Sequence, residues 1–283
     1  MRWTPGGSQD DVEDDRASSG GFGGIHLGIG GVILVAILSL VFHRNFFALL
    51  SSGGSSQPSS SISERQPGQA GQNDPEKPLV EFVTFVLNDA QATWTKILST
   101  QGVPYRHAKL VLFRNSINSA CGLAESATGP FYCPEDEKVY IDLGFYRELK
   151  DRFGAPGEFA EAYVLAHEIG HHVQKLLGIE GKVHAAQMNH SQAKGALSQK
   201  LELQADCFAG VWGHSTEQRD LLDPNDLEAA LNAAAAIGDD RLQKIATGHV
   251  NPDTFTHGTS AERVEWFKRG FNDGTIAACN TFQ

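Results

Sequence analysis

The sequence is short of positive charge and of cysteine, and it lacks the paired-cysteine spacing of small metal-binding or redox motifs. Lys and Arg number 23 against 34 Asp and Glu in 283 residues, a formal net charge of −11. That balance argues against non-specific binding to nucleic acid or to anionic lipid headgroups. The 4 cysteines form no CxxC pair, which argues against a zinc knuckle or a CxxC redox motif. With 41% hydrophobic and 20% charged residues, the chain is neither wholly disordered, nor collagenous, nor a multi-span membrane protein.

Apolar residues are almost absent from the first 24 positions, which carry a Ser/Gly run beside a cluster of carboxylates. Such a composition cannot bury enough apolar surface to order itself. We therefore predict a disordered acidic tail over residues 1–24. The carboxylates of the cluster are Asp10, Asp11, Glu13, Asp14 and Asp15.

An uncharged apolar stretch follows, from Ile25 to Phe42, and continues into FFALL at residues 46–50. Its length is that of a helix that crosses a bilayer once, so residues 25–50 are predicted to form a transmembrane anchor. The alternative is a buried helix of a soluble core. A cleaved signal peptide fits less well, because its leading segment would be short and basic, whereas this one is long and acidic.

Residues 51–78 consist largely of Ser, Gly, Gln and Pro and predict a flexible spacer that precedes a globular domain over residues 79–283. Charge does not orient the anchor, because Arg2 and Arg16 precede it and Arg44 follows it. All four cysteines lie in the globular domain, and an even set beyond an anchor indicates two disulfides in an extracytoplasmic compartment. Four free buried thiols are the alternative. The favoured pairing is Cys121–Cys133 with Cys207–Cys279.

Hydrophobic periodicity in the globular domain predicts a mostly helical α+β fold with a small sheet. Lys109–Phe113 and Lys138–Asp142 are predicted strands, and Phe131–Cys133 is predicted to form a hairpin with the second. Periodic apolar positions and helix-end signals predict helices over 77–99, 156–178, 191–212, 225–237 and 260–271.

The predicted helix over 156–178 contains the sequence His-Glu-Ile-Gly-His. His167 and His171 are four residues apart, so their imidazoles project from one face of the helix and can bind one metal ion. Zinc accepts imidazole ligands, and a catalytic zinc site has three protein ligands with a fourth position for water. Glu168 stands beside the first histidine, where its carboxylate can act as the general base on that water.

A third ligand is needed, and the next predicted helix offers two candidates. A metzincin would require glycine at 174 and histidine at 177, but Gln174 and Leu177 stand there. Glu202 and Asp206 share one face of the helix over 191–212. One carboxylate can bind the metal while the other orients a ligating imidazole through its second nitrogen.

At this point the chain resembles the neutral zinc metallopeptidase family of bacteria, single-pass membrane proteins whose catalytic domain is similar to a zincin of the gluzincin type. The resemblance implies zinc binding by His167, His171 and Glu202, Glu168 as base, Asp206 as the orienting carboxylate, and an extracytoplasmic peptidase domain. One departure is the acidic VEDDR, where the family carries more arginine. The matching segments are AHEIGHHVQ (166–174), LELQADCFAGVW (201–212), GPFYCPEDEKVYID (129–142), HGTSAERVEWFKRGF (257–271) and MRW with VEDDR near the N-terminus.

Histidines outside the motif have simpler explanations, with one exception. His172 points about 100° away from His171 around the helix and is predicted to be a surface or packing residue. His257 and Arg263 have a spacing similar to a His-Pro-Pro…Arg segment of another membrane-associated gluzincin family. Either could stabilise the oxyanion formed during hydrolysis, with Ser260 as helix N-cap. The alternative is a structural ion pair for Arg263 and a loop position for His257.

The expected function is that of a membrane-anchored zinc peptidase that acts on a peptide or protein substrate. Lys138–Asp142, as an exposed edge strand, could hold an extended peptide by main-chain hydrogen bonds. Residues 179–199, which are polar, could lie over the cleft as a lid. The alternative function is a non-catalytic, zinc-stabilised domain that binds envelope proteins. An open three-ligand site and the presence of Glu168 favour the enzyme.

Overall fold

The computed structural model describes residues 1–17, 74–126 and 129–282, which belong to one compact unit. The predicted anchor (25–50) and most of the predicted spacer (51–78) lie outside the described residues. Within the described ranges, no helix combines the length and the apolar character needed to cross a bilayer. The fold is α+β, with a small sheet and a majority of helix, as the sequence predicts.

The main sheet has four strands in the order β1 (Val12–Asp14), β2 (Lys109–Phe113), β6 (Lys138–Asp142) and β5 (Phe131–Cys133). β1, β2 and β6 run parallel, and β5 is antiparallel to β6, which confirms the predicted hairpin. The expectation that β6 is an exposed edge strand is wrong, because β2 and β5 pair with its two sides. A second, two-stranded sheet is formed by β3 (Ser116–Ser119) and β4 (Gly122–Glu125).

The first 17 residues are ordered, so the prediction of a disordered tail is wrong for them, while residues 18–24 lie outside the described ranges. β1 pairs in parallel with β2, with Val12 opposite Leu110. Trp3 packs edge-on against Phe82 of the domain, with 5.3 Å between ring centroids. The acidic residues that suggested disorder find cationic partners across the sheet: Asp11 contacts Lys109, and Glu13 contacts Lys138.

The pairing of β1 sets a condition on the expected anchor. β1 precedes residues 25–50 in the chain, and its partner β2 follows them. Arg16 also forms ion pairs with Asp74 and Glu76, at the start of the following described segment. The described residues on both sides of the predicted anchor, 1–17 and 74–282, therefore belong to one folded unit.

Eight α-helices lie in the described ranges, and the five predicted ones are all among them. α1 has the predicted bounds, Lys77–Ser99. α3 (Glu158–Leu176) begins two residues after Pro156, because the positive-φ residue Gly157 precedes it. α5 (Lys194–Gln218) continues for six residues beyond the predicted end. The remaining helices are α2 (Gly144–Asp151), α4 (Ile179–Asn189), α6 (Asp226–Ala236), α7 (Asp239–Thr247) and α8 (Ser260–Asp273).

The segment over 179–199, expected as a lid, contains α4, a 3-10 turn and the start of α5. α4 packs against α3 and α5, and Val183 is its one buried residue among those described. A covering role for this segment stays a prediction.

Helices α5 and α8 touch along their backbones, which requires glycine on both sides. A Cβ atom on Gly210 would overlap the carbonyl oxygen of Phe267, and one on Gly270 would overlap that of Cys207. Because a side chain would force the helices apart, these two glycines set the distance between them. The close crossing carries Arg263, near the start of α8, to the side of α5 on which Asp206 lies.

Both favoured disulfides are present, which confirms the pairing Cys121–Cys133 and Cys207–Cys279. The first links the turn between β3 and β4 to β5. The second links α5 to the 3-10 turn Ile276–Cys279 at the C-terminal end. None of the four thiols is free.

Candidate metal centre

Three side chains converge between α3 and α5. His167 and His171 stand one turn apart on α3, and their ring centroids are 4.8 Å apart. Glu202 of α5 faces both rings. Its Oε2 lies 3.2 Å from Nε2 of His167, and its Oε1 lies 3.6 Å from Nε2 of His171. One donor atom from each residue therefore falls within 4.8 Å of the others.

This donor set fits zinc. Two imidazole nitrogens and a carboxylate are ligands that zinc accepts, and three protein ligands leave a fourth position open, as in catalytic sites. The local charge also favours a cation. Burial opposes a positive charge on His167, but the Asp206 carboxylate outweighs it and raises the pKa of the imidazole to about 10. Burial acts to raise the pKa of Glu202, yet the neighbouring His171 and His167 hold it well below its usual value.

Asp206 lies behind His167, on the side away from Glu202. Its Oδ1 is 2.9 Å from Nδ1 of His167, so the imidazole presents Nε2 to the centre. Tyr163 donates its hydroxyl hydrogen to the same oxygen. A carboxylate that orients a ligating histidine in this way is the usual companion of a zinc ligand. The structure thus places Glu202 at the centre and Asp206 behind it.

Arg263 binds Asp206 and not the open side of the site. Its Nε lies 2.8 Å from Oδ2 and its Nη2 lies 2.9 Å from Oδ1 of that carboxylate. Nη1 donates to the carbonyl oxygen of Ile237 at 3.1 Å. The side chain is only 3% exposed. Nη2 also lies 3.4 Å from Nδ1 of His167, the ring nitrogen that faces away from Glu202. The structure therefore contains the ion pair that is the alternative to an oxyanion role for Arg263.

Gln174, which the sequence analysis does not name as a site residue, contacts one histidine of the centre. Its Oε1 lies 2.9 Å from Nδ1 of His171. Gln174 is three residues after His171 on α3, a spacing that places two side chains on the same face of a helix. That spacing is the signal that could have identified it. Both histidines of the centre thus have a hydrogen-bond partner on the nitrogen that faces away from Glu202.

Glu168 is buried next to His167 on α3, with 7% of the residue exposed. Within the described part of the chain, no hydrogen bond or ion pair engages its carboxylate. Every other carboxylate of the centre is bound by a histidine or an arginine. Glu168 is therefore the acidic group of the site that is available to accept a proton.

His257 lies in the loop before α8, near enough for the charge of Glu202 to influence its pKa. Its Nδ1 is 3.1 Å from Oδ1 of Asp239, and this hydrogen bond is the main cause that raises the pKa of His257. Asp239, which the sequence analysis missed, also accepts the backbone N–H groups of residues 256–258. The N-cap of α8 is Thr259, in a capping box with Glu262, and not Ser260 as predicted.

His172 is a packing residue, one of the two roles predicted for it. It is fully buried, its Nδ1 lies 3.0 Å from the hydroxyl of Tyr132, and its Nε2 lies 2.6 Å from the carbonyl oxygen of Arg106. Both nitrogens are therefore occupied by groups outside the centre.

Comparison with known proteins, like the geometry, points to a zinc site. The Escherichia coli (strain K12) protein YpfJ, described as uncharacterized, is 48% identical over 293 residues, covering 100% of this chain and 99% of the relative. The uncharacterized protein Rv2575 of Mycobacterium tuberculosis (strain ATCC 25618 / H37Rv) is 43% identical over 206 residues, or 69% of this chain and 68% of the relative. No solved structure matches the chain. The family model described as "Putative neutral zinc metallopeptidase" matches residues 1–282, and the chain belongs to that family.

Proposed function

We propose that the protein is a zinc-dependent peptidase in which Glu168 is the general base. The observation that supports this most directly is the asymmetry of the site. His167, His171 and Glu202 form a three-donor set, while Glu168, buried beside it, makes no hydrogen bond or ion pair with any other described residue. A purely structural zinc site would normally be closed by a fourth protein ligand, and it would not require a second, unpaired buried carboxylate.

In this proposal each residue has one task. His167, His171 and Glu202 hold the zinc ion, which when bound acidifies a water molecule and polarises the scissile carbonyl. Glu168 accepts the proton of the attacking water at its carboxylate and passes it to the leaving amine. Asp206 keeps His167 in the orientation that presents Nε2. Arg263 keeps Asp206 charged, because it holds the pKa of that buried carboxyl below its usual value.

His257 is the proposed donor to the developing oxyanion. Its Nδ1 lies 3.1 Å from Oδ1 of Asp239, almost half of its side chain is exposed, and Nε2 is the nitrogen proposed to donate. The raised pKa of His257 favours the protonated imidazole, a stronger hydrogen-bond donor than the neutral one. Such a donor stabilises charge that appears only in the transition state.

An extended peptide could align on β5 and not on β6. β6 is paired on both sides, whereas β5 pairs with β6 alone among the described strands. β5 also contacts α3, the helix that carries both histidines and Glu168. A peptide that added to its free edge would have main-chain hydrogen bonds to hold it beside the centre.

We also propose that the domain is extracytoplasmic and attached to the membrane through residues 25–50. Two disulfides support an oxidising compartment. Because β1 pairs with β2, both flanks of residues 25–50 lie on that side. A membrane-impermeant maleimide should therefore label Thr4→Cys and Met188→Cys, two exposed positions, from the same face in intact cells. Labelling of the two from opposite faces would contradict the arrangement.

The peptidase proposal is tested by Glu168→Gln in the full chain, with Glu265→Gln on the exposed face of α8 as control. The amide fills the same volume but cannot accept the proton, so hydrolysis of a fluorogenic peptide mixture should fall by about 10²–10⁴. Zinc content by mass spectrometry should stay at one ion per chain. Hydrolysis at the parental rate in Glu168→Gln would show that this residue is not the base.

A further inference from the structure

A continuous line of hydrogen bonds runs from His171 to the C-terminal disulfide. Nδ1 of His171 lies 2.9 Å from Oε1 of Gln174, and Nε2 of Gln174 donates to Oε1 of Gln204 at 3.1 Å. Nε2 of Gln204 donates in turn to the carbonyl oxygen of Cys279 at 2.8 Å. The two glutamines are 1% and 4% exposed, so water does not compete for these bonds.

The backbone carbonyl of Cys279 fixes the orientation of both glutamine amides. A backbone carbonyl can only accept, so Gln204 must turn its NH₂ group toward Cys279 and its oxygen toward Gln174. Gln174 must then present NH₂ to that oxygen, and it donates to the carbonyl of Leu201 at 2.7 Å as well. Its own oxygen therefore faces His171, and only a hydrogen on Nδ1 satisfies it. The imidazole is left with a free lone pair on Nε2, the nitrogen that faces Glu202.

The far end is itself held against α5. Cys279 is bonded to Cys207, which lies five residues after Glu202 on that helix. The hydroxyl of Thr281 donates to the carbonyl oxygen of Lys200 at 2.7 Å. The last residues of the domain are thus tied to the helix that supplies the carboxylate ligand, while the line of amides ends on the helix that supplies the imidazoles.

We propose that Gln174 and Gln204 are positioning residues for the metal centre, and that the Cys207–Cys279 disulfide strengthens metal binding through them. The proposal rests on the zinc site of the proposed function but not on catalysis. The two glutamines fix the tautomer and the ring angle of His171, and the disulfide fixes the carbonyl that sets their direction. Groups that orient a metal ligand in this way commonly contribute about 10–100-fold to metal affinity.

The first test compares Gln174→Leu with Gln174→Glu in the full chain, with Gln187→Leu on α4 as control. Leucine removes the acceptor for His171, so zinc affinity, measured by competition with a chromophoric chelator, should fall about 10–100-fold. The visible spectrum of the cobalt-substituted protein should change as the ligand geometry relaxes. Glutamate keeps an acceptor for His171 but loses the NH₂ donors, so it should retain zinc affinity while its melting temperature falls.

The Gln174→Glu variant separates positioning from simple stability. If it loses as much zinc affinity as Gln174→Leu, the glutamine acts only through packing and the proposal is wrong. Parental affinity in Gln174→Leu would overturn it as well. Neither outcome depends on hydrolysis, so failure here is distinct from failure of Glu168→Gln to lose activity.

The second test uses the two disulfides as a matched pair. Cys207→Ala with Cys279→Ala should lower both zinc affinity and melting temperature, whereas Cys121→Ala with Cys133→Ala should lower melting temperature alone. Gln204→Leu, with both disulfides intact, should reproduce the loss of affinity. Combining it with the Cys207/Cys279 change should add little, because both act on the same line of bonds. Equal effects of the two disulfides on zinc affinity, or full additivity, would overturn the link.

Discussion

Arg263 and Arg16 each bind at least one carboxylate from a distant part of the chain, yet they lie at different depths. The Arg263 side chain is 3% exposed and binds Asp206, whose side chain is completely buried. The Arg16 side chain is 10% exposed and binds Asp14, Asp74 and Glu76, which retain contact with water. The same kind of ion pair therefore occurs once inside the metal centre and once at the rim of the sheet.

The difference in depth assigns the two clusters different roles. A buried charge without its partner is costly, so Arg263, Asp206 and His167 depend on one another for position. A cluster whose carboxylates retain contact with water tolerates the loss of one member better, because water replaces it. Arg16 joins strand β1 to the start of α1, and its contribution is to bring separated segments of the chain together. The degree of burial thus distinguishes the Arg263 cluster, which orients His167, from the Arg16 cluster, which joins distant segments of the chain.

The largest effect is expected for Arg263→Met. Methionine leaves the buried Asp206 carboxylate without its guanidinium, a change that typically costs about 3–5 kcal/mol. Urea unfolding should show this loss, and zinc affinity should fall with it. Arg269→Met, on the same helix but over the Trp266 ring, is the control and should cost under about 1 kcal/mol. Equal losses of unfolding free energy in Arg263→Met and Arg269→Met would show that burial does not set the contribution of the Arg263 ion pair.

The next effect is expected for Gly270→Ala, which tests whether the helix crossing holds Arg263 in place. The new methyl group meets the backbone of α5, which cannot rotate away. We expect about 1–3 kcal/mol of destabilisation, and weaker zinc binding as α8 moves outward. Gly181→Ala on α4, where no atom lies within 4 Å of the added carbon, should instead stabilise the protein by up to about 1 kcal/mol.

Arg16→Ala should have a smaller effect, about 1–2 kcal/mol, since its partners remain partly hydrated. The loss should shrink in 1 M salt, which screens exposed pairs, whereas the loss from Arg263→Met should not. Zinc affinity should be unchanged. Lys77→Ala, which removes an exposed pair with Glu81, is the control and should fall within about 0.5 kcal/mol of the parent. A loss of unfolding free energy in Arg16→Ala that does not change with salt would show that this cluster behaves like the buried Arg263–Asp206 pair.

The smallest effect is the pH dependence of the stability that Arg16 contributes. The hydrogen bond from Arg16 lowers the pKa of Asp74 below its ordinary value of 3.8. A carboxyl whose pKa is lower in the folded state stabilises the protein above its unfolded pKa and loses that contribution as pH falls through the folded value. The difference in unfolding free energy between the parent and Arg16→Ala should therefore narrow between about pH 5 and pH 3. A difference that stays constant over this range would show that Arg16 does not act through these carboxylates.

The helical part of the centre could be predicted because its signals are local. His167, Glu168 and His171 lie in one turn of an amphipathic helix, and helical spacing alone places the two imidazoles on the same face. Only the family resemblance distinguishes Glu202 as the ligand, since helical spacing alone makes it equivalent to Asp206. Gln204 had no local signal, because its partner Cys279 lies far along the chain.

The sheet was harder to predict for a physical reason. β1 is three residues long and almost wholly acidic, and nothing in its own composition indicates a strand. Its order comes from β2 and from lysines far along the sequence. The segment patterns pair β6 with β5 alone and do not reveal its parallel pairing with β2, so they predict an edge strand, whereas β6 lies inside the sheet. A prediction made from single segments does not detect strand pairing or ion pairs between residues that are far apart in the sequence.

The pairing of β1 with β2 also orders events in time. Val12 pairs with Leu110, so about 5–20 s separate the synthesis of the two strands at ordinary rates of translation. During that interval the strand has no partner, and unpaired strand edges promote aggregation. The carboxylates at residues 10–15 counter this, because like charges keep unpaired segments apart in solution. The same carboxylates that give this segment the composition of a disordered tail thus protect β1 from aggregation until β2 has been synthesised.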